Sequence, residues 1–126
     1  DKLMKNIYGL LKYGAHFVFS MSHPMATAWD GQYDRYTRTE SGERLYANIS
    51  NYMVEGKRTV KWVVEDYEVY HRTFSSIVNT IVNAGFLIEE CEESHVSDEM
   101  RKQYPAQFGG TLHQPDFIFF RCKKQS

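Results

Sequence analysis

The sequence lacks the marks of several protein classes. Its 126 residues include only two cysteines and three prolines, and two cysteines are too few for the disulfide framework of a small secreted domain. No apolar run approaches the roughly 20 residues that a membrane-spanning helix requires. The first residues show neither the apolar stretch nor the small-residue cleavage site of a signal peptide. We therefore expect a cytoplasmic protein.

An excess of charge of one sign is also missing. The 15 basic and 16 acidic residues give a formal net charge of -1 and are mixed along the chain. The sequence therefore offers no basic surface for nucleic acid or for an anionic membrane, and we expect neither as a partner. Cys91 and Cys122 fall in or beside different predicted strands with no nearby C-x-x-C partner. This spacing predicts reduced thiols and no metal site.

The sequence also has no G-x-G-x-x-G motif after any predicted strand. What the chain has is enough apolar material, 42% hydrophobic and 15% aromatic residues, for one domain over residues 1–126. Near its start, apolar residues recur at helical spacing: Leu3, Ile7, Leu10 and Leu11. Gly14 ends this helix, and the apolar run 16–21 predicts a strand covered on both faces. A helix, a glycine and a buried strand in this order are typical of an α/β protein.

The segment 22–70 predicts an insertion in that fold. Residues 22 to about 45 are irregular and polar, and a loop of this length in a compact domain is usually a lid or a binding loop. Residues 46–54 and 57–69 then carry β-branched and aromatic side chains on either side of Glu55-Gly56. This pattern predicts a half-exposed hairpin that serves as a lid on the substrate side.

The remaining residues predict a helix and two further strands. Thr73 is a plausible N-cap, and Gly85 ends the helix. The helix presents an apolar stripe, Phe74, Ile77, Val78, Ile81 and Val82. A strand follows over 86–90, then a short helix capped by Ser97 and stopped by Pro105, a loop over 108–115, and a last strand over 117–122.

Five stretches together resemble a known family, the class I S-adenosylmethionine-dependent methyltransferases of the small-molecule type related to ubiquinone and menaquinone methyltransferases. Residues 10–20, LLKYGAHFVFS, look like the family's turn and fifth strand. The others are Ser22-His23-Pro24, Tyr70-His71-Arg72-Thr73, Asn83-Ala84-Gly85-Phe86 and Pro115-Asp116-Phe117-Ile118-Phe119. Their order and spacing make the combination fairly specific.

The resemblance implies the C-terminal half of a Rossmann-like methyltransferase sheet. In the family, the glycine-rich loop, the acidic residue on the ribose and the adenine-contacting segment all precede the fifth strand. The complete domain would use S-adenosylmethionine to methylate a small molecule, but we expect no cofactor binding and no turnover from this chain alone. Its fifth strand would present an open edge, through which we expect two copies to associate.

The candidate site residues follow from this implied position on the substrate side. His71 and His23 are the candidate catalytic residues, because histidine titrates near neutral pH and can assist deprotonation of a substrate. Arg72 can pair with a substrate carboxylate or phosphate, and Tyr70 and Trp29 can line an aromatic wall. Each has an ordinary alternative, such as packing or a surface ion pair. The whole chain also has one, a non-catalytic α+β module that binds a small ligand or dimerises.

Overall fold

The computed structural model describes residues 1–31, 33–62 and 65–125. Its helices are α1 (Lys2–Leu10), α2 (Pro24–Thr27), α3 (Phe74–Asn83), α4 (Asp98–Gln103), α5 (Pro105–Phe108) and a 3-10 turn (Gly109–Leu112). Its strands are β1 (His16–Ser22), β2 (Tyr36–Arg38), β3 (Arg44–Ala47), β4 (Gly56–Trp62), β5 (Glu65–His71), β6 (Phe86–Glu93) and β7 (Phe117–Lys124). Within the described ranges, each helix is too short or too polar to cross a bilayer.

The main sheet has the strand order β1-β7-β6. Because β7 is antiparallel to both neighbours, β1 and β6 run parallel to each other. Among the described strands β1 has a neighbour on one side only, so its other edge is open, as the sequence predicts. The prediction that β1 is covered on both faces is wrong for the described residues. Exposed and half-buried residues alternate along β1, because Phe17, Phe19 and Met21 face the core while the residues between them do not.

The core lies between this sheet and α3. Its buried residues are Ile77, Ile81, Ala84, Phe86, Ile118, Phe120 and Cys122. The Thr73 hydroxyl accepts a hydrogen bond from the Ser76 amide, which confirms the predicted N-cap. Gly85 has a positive φ of 108° and lies against the Tyr8 ring, so the helix ends where predicted.

Helix α1 packs on this core with a face that only partly matches the predicted one, since Ile7 and Leu11 contact the core but Leu3 and Leu10 do not. Met4, Ile7, Tyr8 and Leu11 contact the core. Leu3 and Leu10 are 68% and 85% exposed. The buried Lys124 ammonium donates to the carbonyls of Tyr8 and Leu11 and so links the end of the helix to β7.

The prediction of one hairpin with arms 46–54 and 57–69 is wrong. Two separate hairpins form, β2 with β3 and β4 with β5. β4 ends at Trp62 and β5 begins at Glu65, with residues 63–64 outside the described ranges, whereas the predicted turn at 55–56 lies where β4 begins. The predicted second arm therefore folds back on itself and pairs Val60 with Tyr67. The predicted loop over 108–115 likewise includes the end of α5 and the 3-10 turn.

Candidate functional site

A cavity of about 660 Å³ lies where the carboxyl end of β1 meets both hairpins. We call it the aromatic cavity. Its walls come from Ser22 and Phe117 of the main sheet, from Val60, Tyr67 and Val69 of the second hairpin, from Trp29, Arg35, Tyr36 and Arg44 around the first hairpin, and from Ala26, Thr27, Gln107, Gly110, Thr111 and Asp116. The predicted inserted segment therefore supplies most of this cavity.

Two arginine–aromatic pairs form part of the wall. The Arg35 guanidinium lies 4.7 Å from the centre of the Trp29 ring, and the Trp29 indole N–H donates to the Tyr33 carbonyl at 2.8 Å. The Arg44 guanidinium lies 5.0 Å from the Tyr36 ring and donates to the carbonyls of Pro105 and Ala106. These contacts hold two cations and two flat rings in fixed positions.

Tyr36 remains a protonated phenol in this setting. Burial raises the pKa of Tyr36, and the Asp116 carboxylate acts in the same direction, against Arg35 and Arg44. The hydroxyl sits so close to Gly110 that an added Cβ there would lie 2.2 Å from its oxygen. The Gly109-Gly110 turn therefore makes room for the Tyr36 side chain.

A second cavity of about 720 Å³ lies on the other side of the β1 end, and Thr111 lines both. We call it the histidine cavity, because His23, His95 and His113 line it with Cys91, Glu93 and Gln114. The Met25 amide donates to Nδ1 of His23, so Nε2 carries the proton and donates to Glu93 at 2.6 Å. Among the described residues, no group of His, Cys, Asp and Glu has the arrangement of a metal site.

His71 lies in the interior, with no exposed surface. Nε2 must donate to the Tyr52 carbonyl at 2.7 Å, so Nδ1 of the neutral ring accepts from the Thr27 hydroxyl at 2.7 Å. Burial lowers the pKa of His71, as does the nearby Arg58 charge, against the opposing effects of the Tyr52 carbonyl and Glu55. The ring is therefore neutral at pH 7, and both of its nitrogens are occupied.

The structure does not bring the five predicted site residues together. Trp29 lines the aromatic cavity and His23 the histidine cavity. Arg72 stacks over Tyr70 at 4.4 Å, and both line a polar pocket of about 320 Å³ beside α3. His71 lines none of the three, and its ring contacts Thr27 of the aromatic cavity and Tyr52 of the histidine cavity. The catalytic and substrate-binding roles given to these residues remain predictions.

Sequence reasoning missed Arg35, Tyr36, Arg44 and Tyr67. A signal was present, because tyrosine and arginine interleave along residues 33–46. The sequence nevertheless predicts an irregular, polar loop over residues 22 to about 45, because the side chains there follow no helical or strand period. Only the folding of 33–47 against the 105–111 segment turns those arginines and tyrosines into one wall.

Comparisons with known proteins agree on one fold. No protein-family model matches the sequence. A structure from Listeria monocytogenes, assigned as an S-adenosylmethionine-dependent methyltransferase, matches 98% of the chain with a TM-score of 0.81 and 30% identity. An S-adenosylmethionine-dependent methyltransferase from Mesorhizobium loti matches 97% with a TM-score of 0.80 and 28% identity. An uncharacterized Haemophilus influenzae protein is 28% identical over 122 residues.

The chain spans about half the length of these proteins, 54% of both structures and 47% of the Haemophilus protein. Its mixed helices and antiparallel strands match the C-terminal part of a methyltransferase fold. The fold class predicted from the sequence is thereby confirmed.

Proposed function

We propose that this chain forms the acceptor side of an S-adenosylmethionine-dependent methyltransferase that acts on a small molecule, of the type related to ubiquinone and menaquinone methyltransferases. The observation that carries the proposal is the match of nearly the whole chain to two methyltransferase structures, in fold and at 28–30% sequence identity. Fold alone would not select a reaction. The aromatic cavity adds a place for the methyl acceptor.

The described residues do not fit the cofactor. A nucleotide-binding turn of this fold class is a glycine-rich link between a strand and the helix that follows it. The glycines with positive φ here are Gly14, Gly31, Gly42, Gly56 and Gly85. Gly14 and Gly85 follow helices, and the other three lie in the inserted segment. None of these glycines in the described ranges forms such a turn, and we propose that the chain alone neither binds the cofactor nor turns over.

The aromatic cavity suits an acceptor. Methyl transfer from a sulfonium is an in-line displacement, so the protein must orient the nucleophile and exclude water. The cavity lies at the carboxyl end of β1 under both hairpins, and its volume falls within the roughly 300–1,000 Å³ of small-molecule sites. The hairpins then act as the lid predicted for segment 22–70.

The two histidines take different roles in this proposal. His23 can accept a proton only if its Nε2 proton and Glu93 rearrange, and the Glu93 side chain is 62% exposed and can turn away. His71 has no free lone pair and no exposed surface, so its geometry favours a positioning role. It fixes Thr27, a wall residue of the aromatic cavity. Substrate contacts by Arg72 and Tyr70 would require a ligand that reaches the polar pocket.

Calorimetric titration of S-adenosylhomocysteine tests the proposal. We expect no saturable heat with this chain, and saturable binding once the chain is extended at its N-terminus, from its own genome, to the length of its relatives. The extended polypeptide should then release S-adenosylhomocysteine from S-adenosylmethionine in the presence of an acceptor. If the extended polypeptide does not bind the cofactor product, the methyltransferase proposal fails and a non-catalytic ligand-binding module takes its place.

A further inference from the structure

The aromatic cavity has more positive than negative charge on its walls. Arg35 and Arg44 line it against one carboxylate, that of Asp116. In the described ranges, every salt bridge made by an arginine or lysine uses Lys5, Arg38, Lys57, Arg101 or Arg121. Among the described residues, no carboxylate lies within 4.0 Å of a nitrogen of either cavity arginine. A ligand with one negative charge would balance the wall.

The two arginines are not equivalent. Arg44 uses both terminal nitrogens on the carbonyls of Pro105 and Ala106, so its main task is to hold the α5 segment against β3. Its Nε is buried and has no hydrogen-bond partner among the described residues. Arg35 lies over the Trp29 ring instead, with its guanidinium carbon 4.7 Å from the ring centre. A stacked guanidinium keeps its N–H groups in its own plane, where a carboxylate can accept two of them.

The rest of the wall is built for a flat apolar body. Trp29, Tyr36 and Tyr67 supply rings, and Val60 and Val69 supply aliphatic surface. The Trp29 N–H donates to the Tyr33 carbonyl, which favours one orientation of the indole ring. Tyr36 is held between the Arg44 guanidinium and Gly110. A rigid aromatic wall favours an aromatic ligand, since ring stacking costs little conformational entropy.

We propose that the aromatic cavity binds a flat aromatic carboxylate, with Arg35 as the partner of the carboxylate and Trp29 and Tyr36 against the ring. This inference rests on the proposed function only for the identity of that ligand as the methyl acceptor. Arg35 is the residue that sets the charge preference. It is also one that sequence reasoning did not select.

Binding of three naphthalene probes tests the inference without any methyl donor. 2-Naphthoate, 2-naphthamide and 2-naphthylmethylamine share a ring and differ in charge. Amide and indole NMR shifts of the full chain report where each binds. We expect 2-naphthoate to perturb Trp29 and the residues around Tyr36 and to bind about tenfold more tightly than 2-naphthamide. The amine should bind most weakly.

Arg35→Gln should abolish the preference for the anion while leaving residual binding of the ring. Arg121→Gln is the matched control. It removes the same charge from a half-exposed arginine of β7 that pairs with Glu89 and Glu90 and lies outside the cavity lining. The control should keep the preference intact.

Equal affinities for the anion and the amide, no perturbation at the cavity, or the same loss in both variants would each overturn the inference. The test is independent of the proposed function. If 2-naphthoate binds but the extended polypeptide has no affinity for the cofactor, the inference stands and the methyltransferase proposal fails.

Discussion

The Thr27 hydroxyl lies 2.7 Å from Nδ1 of His71, and both residues are buried although they are 44 positions apart in the sequence. Because Nε2 of the same ring donates to the Tyr52 carbonyl, one imidazole ties together α2, the end of β5 and the loop before β4. His71 is the last residue of β5, two positions before Thr73, the N-cap of α3. Its side chain is buried in the interior and is not exposed to solvent.

The burial of His71 predicts an acid-sensitive fold. The pKa of His71 is lowered in the folded protein, so the unfolded chain binds more protons below about pH 6.5. The free energy of unfolding should therefore fall as pH drops through that value and below. Urea unfolding at a series of pH values measures this slope. His71→Gln should flatten it, whereas His95→Gln, a change at an exposed loop histidine, should leave it in place. Equal slopes in both variants would contradict the prediction.

Removal of the Arg58 charge should strongly lower the free energy of unfolding. Its buried guanidinium donates to the carbonyls of Ser50, Asn51 and Val54 and closes the loop before β4. Arg58→Met should lower the free energy of unfolding by about 3 kcal/mol, because three acceptors lose their donor. Lys57→Met, at an exposed neighbour paired loosely with Glu68, should change it by less than about 0.5 kcal/mol. Denaturant unfolding of both variants makes the comparison.

Gly110 predicts a local rearrangement in the aromatic cavity. A methyl group there would overlap the Tyr36 hydroxyl and ring, so Gly110→Ala should displace that side chain and cost about 1–3 kcal/mol. Gly9→Ala is the matched control. An added Cβ at Gly9 meets nothing within 4 Å, and alanine in α1 should stabilise by up to about 1 kcal/mol. Opposite shifts in melting temperature are expected, and NMR shifts of Tyr36 should change only in Gly110→Ala.

The open edge of β1 predicts self-association of the chain, which we propose occurs by edge-to-edge pairing. Val18 on this strand is 64% exposed. Val18→Lys should weaken association, since charge on an edge strand disfavours pairing, and light scattering over a range of protein concentrations should show a lower average mass. Val82→Lys, at an exposed position on α3, should leave the mass unchanged. A monomer at every concentration in the parent chain would rule the proposal out.

Local signals in the sequence were sufficient for the helices and strands of the main sheet. The Thr73 cap, the positive φ of Gly14 and Gly85, and the Ser97 cap all appear as predicted, but α1 ends at Leu10 and not at Gly14. The strand at 117 begins where expected and continues to Lys124. These features depend on residues a few positions apart, so a single sequence carries enough information to place them.

The inserted segment was less predictable. The sequence correctly predicts strand residues over 57–69. It places the turn at 55–56, because a glycine beside polar residues is a common turn signal. The structure uses Gly56, with a φ of 140°, to begin β4 instead. Likewise, the chemistry of histidine makes His23 and His71 candidate site residues in the sequence. Only the structure shows that the His71 side chain is buried in the interior.

The sequence by itself determined an α/β chain and the positions of α3, β6 and β7, because these follow from periodicity and helix caps. Tertiary structure alone decided which residues form the cavities. Arg44 reaches carbonyls 61 and 62 positions away, and Lys124 caps a helix 113 to 116 positions before it. Contacts of such sequence separation leave no local pattern. The aromatic cavity exists only because two hairpins, the 3-10 turn and the end of β1 converge.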